Sequence, residues 1–288
     1  LKLIKANSYA KINLALDVLY KRPDGYHEVN MIMQSIGLAD NIIVKKHDSE
    51  IKLTTNNPYL ACDESNLIYR AAMLLKNTLN LGYGAHIHLE KNIPIAAGLA
   101  GGSSNAATTL IALNKLWKLG LSGSELLKLG AILGSDVPFC LLGGTVRAHG
   151  RGELLEVLPA LRNCFVILAK PNIEVSTAWV YNNLQLPKIT ARPDIDKMVK
   201  ALASNDFDSV VESMVNVLET VTIQAYPEIA RLKKIMSDYG AITLMSGSGP
   251  TVFGLASDKK YAFSLVDLLR EQTKADIFIT ETITGVGI

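Results

Sequence analysis

Residues 93–117 read "IPIAAGLAGGSSNAATTLIALNKLW", a loop of small residues that runs directly into an apolar helix, with no charge from Asn92 to Asn114. The helix is predicted over about 103–118. Its Ala106, Ala107, Leu110, Ile111, Leu113, Leu116 and Trp117 spread over several faces, so it should be buried nearly all round. A helix N-terminus leaves its first N–H groups unpaired and carries roughly half a positive charge. Gly98, Gly101 and Gly102 let an anion approach the backbone closely. Ser103 and Ser104 stand where an N-cap would sit. Such a place holds phosphate without help from a cation. The plain alternative is a flexible connection before a core helix. GxxxxGK[ST] and GxGxxG are both absent, which excludes a Walker A loop, a protein-kinase glycine loop and a dinucleotide fingerprint.

Upstream, "YAKINLALDVL" (9–19) alternates. Ala10, Ile12, Leu14, Leu16 and Val18 fall on one face, and Lys11, Asn13, Ala15 and Asp17 on the other, which predicts a half-buried strand. "KRPDGYH" (21–27) is a turn signal. Strand-like runs follow near 29–37, 41–46 and 50–55, then a helix over 66–80 and a strand over 84–91. Downstream, a capping box from Ser122 to Glu125 opens a helix over 122–133. Residues 134–153 read as loop then strand, and 163–171 as a strand ending at Pro171. Residues 174–240 read as successive helices. "AITLMSGSGPTVFGLAS" (241–257) gives strand, Gly/Ser turn, strand, followed by a helix (258–272) and a strand near 276–283. That closing pattern suits a small α+β domain, and the boundary is placed near Pro159.

With 288 residues the chain has room for one large or two modest domains. An apolar fraction of 49% against 19% charged is enough for a sizeable core. The net charge of +2 is spread along the chain and forms no basic stripe, so neither nucleic acid nor a membrane surface is an expected partner. Cys62, Cys140 and Cys164 are widely spaced and include no CxxC pair, which predicts buried thiols in a reducing compartment. No apolar run of about 18 residues suggests a transmembrane helix. "LKLIKANSYAKINL" lacks the apolar core of a signal peptide, so a cytoplasmic location is expected. His86 and His88 share a strand face, but without a third ligand a polar face is the better reading than zinc.

Three stretches, "AKINLALDV" (10–18), "PIAAGLAGGSSNAA" (94–107) and "MSGSGPTVFGL" (245–255), together and in this order resemble the GHMP kinase superfamily. "KRPDGYHEV" (21–29) and "GSDVPFC" (134–140) narrow the resemblance. They point to the branch that uses ATP to phosphorylate the 2-hydroxyl of a CDP-linked methylerythritol, on the non-mevalonate route to isoprenoid precursors. The resemblance implies an α+β, two-domain fold. Residues 1–159 would be similar to ribosomal protein S5 domain 2 and carry the ATP loop and catalytic residues. Residues 160–288 would be ferredoxin-like and contribute to the cleft.

The resemblance further implies Lys11 and Asp136 as catalytic residues. Its ATP loop runs from Pro94 through Ile95, Ala96, Ala97, Gly98, Leu99, Ala100, Gly101, Gly102 and Ser103 to Ser104, with Asn66 and Lys91 near the nucleotide. Asn13, Tyr26, His27 and Thr177 fall on the substrate side. The turn with Gly247, Ser248 and Gly249 would close over the active site. Mg²⁺ is expected with ATP, and Ser103 or Ser104 could supply it an oxygen. Ala96, Ala97 and Ala100 replace glycines common in this loop, which is harmless wherever φ stays negative.

Each residue also has a plainer reading. Asp136, two residues before Pro138, could be a helix N-cap; Lys11 could be a surface lysine, and Tyr26 and His27 an exposed turn. A kinase for another small alcohol, such as mevalonate or homoserine, is the alternative function; "PDGYH" favours a cytidine pocket. A non-catalytic nucleotide-binding module is a third reading, and the presence of both Lys11 and Asp136 argues against it.

Overall fold

The computed structural model describes residues 3–285; the outer ends of the two expected domains, residues 1–2 and 286–288, lie outside it. Strands β1 (Leu3–Lys21) and β2 (His27–His47) form a long antiparallel hairpin closed by the Pro-Asp-Gly turn. Gly25 in that turn has φ 85°, a conformation that favours glycine. The two runs expected at 29–37 and 41–46 are one strand. The break in alternation at Gly37–Leu38 is a shift of register opposite Tyr9 and Ala10, not a turn.

Strands β3 (Ile51–Thr55), β4 (Gly84–Glu90), β5 (Thr145–His149) and β6 (Leu154–Val157) complete the first sheet, in the order β3-β4-β2-β5-β6 with β1 on β2. Helix α1 (Leu67–Thr78) crosses over between the parallel pair β3 and β4. Helices α2 (Gly101–Trp117), α3 (Gly123–Leu133) and α4 (Val137–Leu142) follow. The capping box of Ser122 and Glu125 is present at α3. Helix α4 lies within the stretch that the sequence reads as loop then strand. At six residues it is too short for a periodic pattern to reveal.

The second sheet holds β7 (Phe165–Lys170), β8 (Thr243–Met245), β9 (Val252–Ala256) and β10 (Asp276–Glu281), all antiparallel, in the order β10-β7-β9-β8. Between β7 and β8 come α5 (Thr177–Asn183), α6 (Ile195–Ala203), α7 (Phe207–Glu212), α8 (Glu219–Ala225) and α9 (Pro227–Asp238); α10 (Lys259–Gln272) joins β9 to β10. Numbered within this sheet alone, the order is 4-1-3-2, the split βαβ arrangement of ferredoxin-like domains.

The two sheets share a core. Ile12, Ile36 and Leu99 from the first half pack in one cluster with Val166, Met198 and Phe253 from the second. Backbone bonds also cross: Leu16 N–H donates to Val215 O at 2.9 Å, and Val217 N–H to Leu16 O at 3.0 Å. As a result β1 is not the half-buried strand that its alternation predicts. Lys11 is 4% and Asn13 1% exposed. The Lys11 and Asn13 face, opposite the apolar stripe, is covered by residues of the 94–100 loop and the 246–250 turn, which arrive from far along the chain.

Candidate active site

The loop before α2 is tighter than its composition suggests. The helix begins at Gly101, not at the serines, and its N-cap is Ala100 in the left-handed region (φ 55°) with no side-chain cap. Ala96 is also left-handed, with φ 51°. The condition under which alanine could replace glycine freely therefore fails at both positions. Each carries strain of about 1–2 kcal/mol. The first N–H groups of α2 have no partner within the helix, and Gly101, Gly102 and Ser103 line the cleft. One residue on, the helix has turned by about 100°. Ser104 accordingly points away: it is 2% exposed, and its hydroxyl accepts from Ser8 Oγ at 2.9 Å. Of the two candidate serines only Ser103 faces the ligand side.

Beneath the loop lies a carboxylate that the sequence reading does not single out. Asp40 on β2 is fully buried and accepts four hydrogen bonds. Its Oδ1 takes the N–H groups of Asn92 and Ile93, both at 2.7 Å. Its Oδ2 takes Lys91 Nζ at 2.7 Å and Asn105 Nδ2 at 2.8 Å. The loop entrance, α2 and β2 are thus tied to one anion. Lys91 lines the cleft, but its ammonium is committed to Asp40. Burial pushes its pKa below the ordinary lysine value against the opposing pull of that carboxylate. Asn66 is similarly occupied: its Oδ1 caps α1 at Ile68 N–H, and its Nδ2 donates to Ala61 O.

Lys11 and Asp136 come together from strand β1 and the start of α4. Lys11 Nζ lies 3.7 Å from Asp136 Oδ2. It also donates to Asn13 Oδ1 at 2.7 Å and to Gly98 O at 3.1 Å, so Asn13 and the loop aim the ammonium. Asp136 does occupy the N-cap position of α4, yet its side chain makes no capping bond; the carboxylate faces Lys11 instead. The Gly/Ser turn closes this corner. Ser246 Oγ donates to Gly98 O at 2.9 Å, and a Cβ on Gly247 would sit 3.4 Å from Lys11 Nζ. Asn216 Nδ2 holds the turn through the carbonyls of Met245 and Gly247.

At the far end, His27 packs against Tyr181 with ring centroids 5.2 Å apart. Burial, helped by Lys21, lowers the His27 pKa from its usual value, which favours the neutral imidazole. Tyr181, another residue that the sequence reading passes over, lines the cleft, and its phenol pKa is pushed up by burial and then by Asp136. Tyr26 is 53% exposed beside them. Thr177 Oγ1 and Ser248 Oγ share a hydrogen bond of 2.8 Å, which joins the substrate side to the Gly/Ser turn. Cys140, near Asp136, is held as an inert thiol by burial, which raises its pKa.

All the candidates except Ser104 and Gly249 line a single cleft of about 870 Å³. Gly249 (φ 90°) serves the turn itself, and a Cβ there would run into Met245 Sδ. His86 and His88 share the hydroxyl of Thr54, a polar strand face. Among the described residues no three His, Cys, Asp or Glu side chains gather to hold a metal. Among the oxygens of the cleft, the Ser103 hydroxyl at the start of α2 fits a cation that arrives already bound to phosphates. No helix among the described residues is long and apolar enough to cross a membrane.

Residues 66–144 match the GHMP kinases N terminal domain, and residues 198–274 the GHMP kinases C terminal domain. The chain is 54% identical over 249 residues to 4-diphosphocytidyl-2-C-methyl-D-erythritol kinase of Geobacillus kaustophilus (strain HTA426), covering 85% of this chain and 86% of the relative. It is 54% identical to the same-named protein of Bacillus cereus (strain B4264), with equal coverage. A crystal structure of 4-(cytidine 5'-diphospho)-2C-methyl-D-erythritol kinase superposes with a TM-score of 0.83 at 34% identity, covering 99% of this chain and 100% of the other. A homoserine kinase from Cytophaga hutchinsonii shares the fold alone: TM-score 0.76 at 20% identity, covering 100% of this chain and 96% of the other. The chain therefore belongs to the GHMP kinases, a family of ATP-dependent phosphotransferases, and within it to the 4-diphosphocytidyl-2-C-methyl-D-erythritol kinases.

Proposed function

We propose that this chain transfers the γ-phosphoryl group of ATP to the 2-hydroxyl of 4-diphosphocytidyl-2-C-methyl-D-erythritol, a step in non-mevalonate isoprenoid precursor synthesis. The observation that carries the mechanism is the approach of Lys11 Nζ to Asp136 Oδ2, at 3.7 Å, in a cleft with a phosphate-sized loop on one side and aromatic rings on the other. Phosphoryl transfer asks a protein chiefly for positioning and charge stabilisation. The amides at the start of α2 grip the triphosphate. Asp136 accepts the hydrogen bond of the substrate hydroxyl and takes its proton as the new O–P bond forms and the bond to ADP breaks. Lys11, aimed by Asn13 and Gly98 O, offsets the charge that builds on the transferring group. Tyr26, Tyr181 and His27 hold the cytosine by stacking and edge contact.

Ser103 would offer an oxygen to a Mg²⁺ that arrives with ATP, and the ion would supply further charge neutralisation. The working division of the chain is 1–159 and 160–288, the break falling between β6 and β7. The three cysteines are free thiols, which suits the expected reducing cytoplasm, but of the expected buried thiols only Cys164 is buried, Cys140 being partly covered and Cys62 exposed. The test is ATP consumption with the CDP-alditol, mevalonate and homoserine in parallel, with and without Mg²⁺. Turnover confined to the CDP-alditol is expected; turnover with either of the others alone would overturn the substrate assignment.

A further inference from the structure

We propose that Arg151 is the residue that binds the diphosphate of the CDP-linked substrate, an inference that rests on the substrate reading above. That substrate brings negative charge into the cleft in addition to the charge of ATP. Among the described residues that line the cleft, Lys11, Lys91 and Arg151 carry permanent positive charge. Lys91 is spent on the buried Asp40 carboxylate. Lys11 is held by Asn13, Gly98 O and Asp136. Arg151 has a looser partner: its Nε is 3.5 Å from Glu153 Oε1, and its side chain is 30% exposed.

The position of Arg151 matches the order of groups in the substrate. Its guanidinium lies over the Tyr26 ring, 4.9 Å from the centroid. The next residue, Gly152, packs on Ser135, with a Cβ there 3.7 Å from Ser135 Cβ, and Ser135 precedes Asp136. The turn that carries Arg151 therefore runs from the ring at the base end to the neighbour of the carboxylate at the reacting end. In a CDP-linked alditol the diphosphate lies between the nucleoside and the acceptor hydroxyl. A guanidinium held over an aromatic ring still has five N–H donors in a planar fork, which suits phosphate oxygens.

The turn that carries Arg151 is fixed before any ligand arrives. Gly150 N–H donates to Glu28 Oε1 at 3.0 Å, Arg151 N–H to Glu153 Oε2 at 2.6 Å, and Gly152 N–H to His149 O at 2.9 Å. Val29 N–H donates to Gly150 O at 2.9 Å, which anchors the turn to the strand that follows Tyr26 and His27. Gly150 (φ 68°) and Gly152 (φ 113°) take the conformations that such a tight turn needs.

The experiment compares cytidine and CDP as competitive inhibitors against the CDP-alditol, in the wild type, Arg151→Met and Arg151→Lys. Because Arg151 acts on the phosphates, Arg151→Met should weaken CDP by about tenfold or more while moving cytidine less than about twofold. The preference for CDP over cytidine should then largely vanish, Arg151→Lys should restore part of it, and the KM for ATP should stay within about twofold. Equal weakening of cytidine and CDP would assign Arg151 to the base end and overturn the proposal, as would an unchanged preference. A wild-type chain that does not turn over the CDP-alditol would overturn the substrate reading and this inference with it.

Discussion

Gly98 and Ser246 are in direct contact between the loop before α2 and the turn after β8: the Ser246 hydroxyl donates to Gly98 O at 2.9 Å, and a Cβ built on Gly98 would overlap Ser246 O. Glycine at this position serves the packing of the loop on the C-terminal turn, beyond any access it gives to phosphate. Gly98 also has φ 73°, so a side chain would be both strained and obstructed.

Gly98→Ala should therefore lower stability by about 2 kcal/mol or more and weaken ATP binding, since the turn that closes the corner must move. Gly102→Ala is the control. The nearest atom to its Cβ would be Leu67 Cδ1 at 3.5 Å, an ordinary contact, so urea unfolding should shift little. Gly101→Ala is intermediate, because its Cβ would press on Lys91 Nζ and Ile93 Cγ2, both at 3.1 Å. Equal stability of the Gly98 and Gly102 variants would contradict this placement.

The Asp40–Lys91 pair should show strong coupling. Removing one member leaves the other charge buried and unpaired, at a cost of about 3–5 kcal/mol. Asp40→Asn and Lys91→Met should each destabilise by that order. The double variant should lose much less than the sum of the two. A double-mutant cycle with additive effects would show that the ion pair is not what holds the loop entrance.

Left-handed alanines give a third expectation. In the interior of α2, Ala107→Gly should cost at least about 1 kcal/mol. At Ala96 and Ala100 the relief of a positive φ offsets the extra freedom that glycine gives the unfolded chain. Ala96→Gly and Ala100→Gly should then change the unfolding free energy by less than about 0.5 kcal/mol. A loss at these sites equal to that at Ala107 would contradict the loop conformation.

Acidification tests His27. Burial, with Lys21, holds its pKa below the ordinary 6.5. As pH falls through 6.5 the unfolded chain protonates first, so the neutral ring's contribution to stability is lost from there downward. Binding follows the same sign if the neutral imidazole meets the cytosine edge. The KM for the CDP-alditol should be flat above about pH 6.5 and rise below His27's lowered pKa, and the rise should be absent in His27→Asn. A rise that persists in that variant would place the titrating group elsewhere.

The outline of this enzyme could be read from one chain because its chemistry sits in short, local patterns. The Gly/Ala/Ser loop, the Lys11 strand, the Pro-Asp-Gly turn and the Ser122 capping box each declare themselves within a few neighbours. The features that stayed hidden depend on distant partners. Asp40 is an acid in an apolar strand, and its role appears only when residues 91–93 and Asn105 fold onto it. Tyr181 sits in a helical stretch with no distinguishing pattern, and Asn216 matters only because the turn after β8 lands on it. Burial of the Lys11 face could not be read from an alternation that reports one strand at a time. The start of α2 falls before the serines for a related reason: a left-handed alanine caps it where serine is the commoner signal.

The most direct test of the central claim measures kcat and the dissociation constant for ATP side by side in the wild type and Asp136→Asn. With the triphosphate held by the start of α2 and the proton taken by Asp136, kcat should fall by at least about 10²-fold while the ATP constant stays within about threefold. A variant that keeps its kcat, or one that loses ATP binding in the same proportion, would contradict the account.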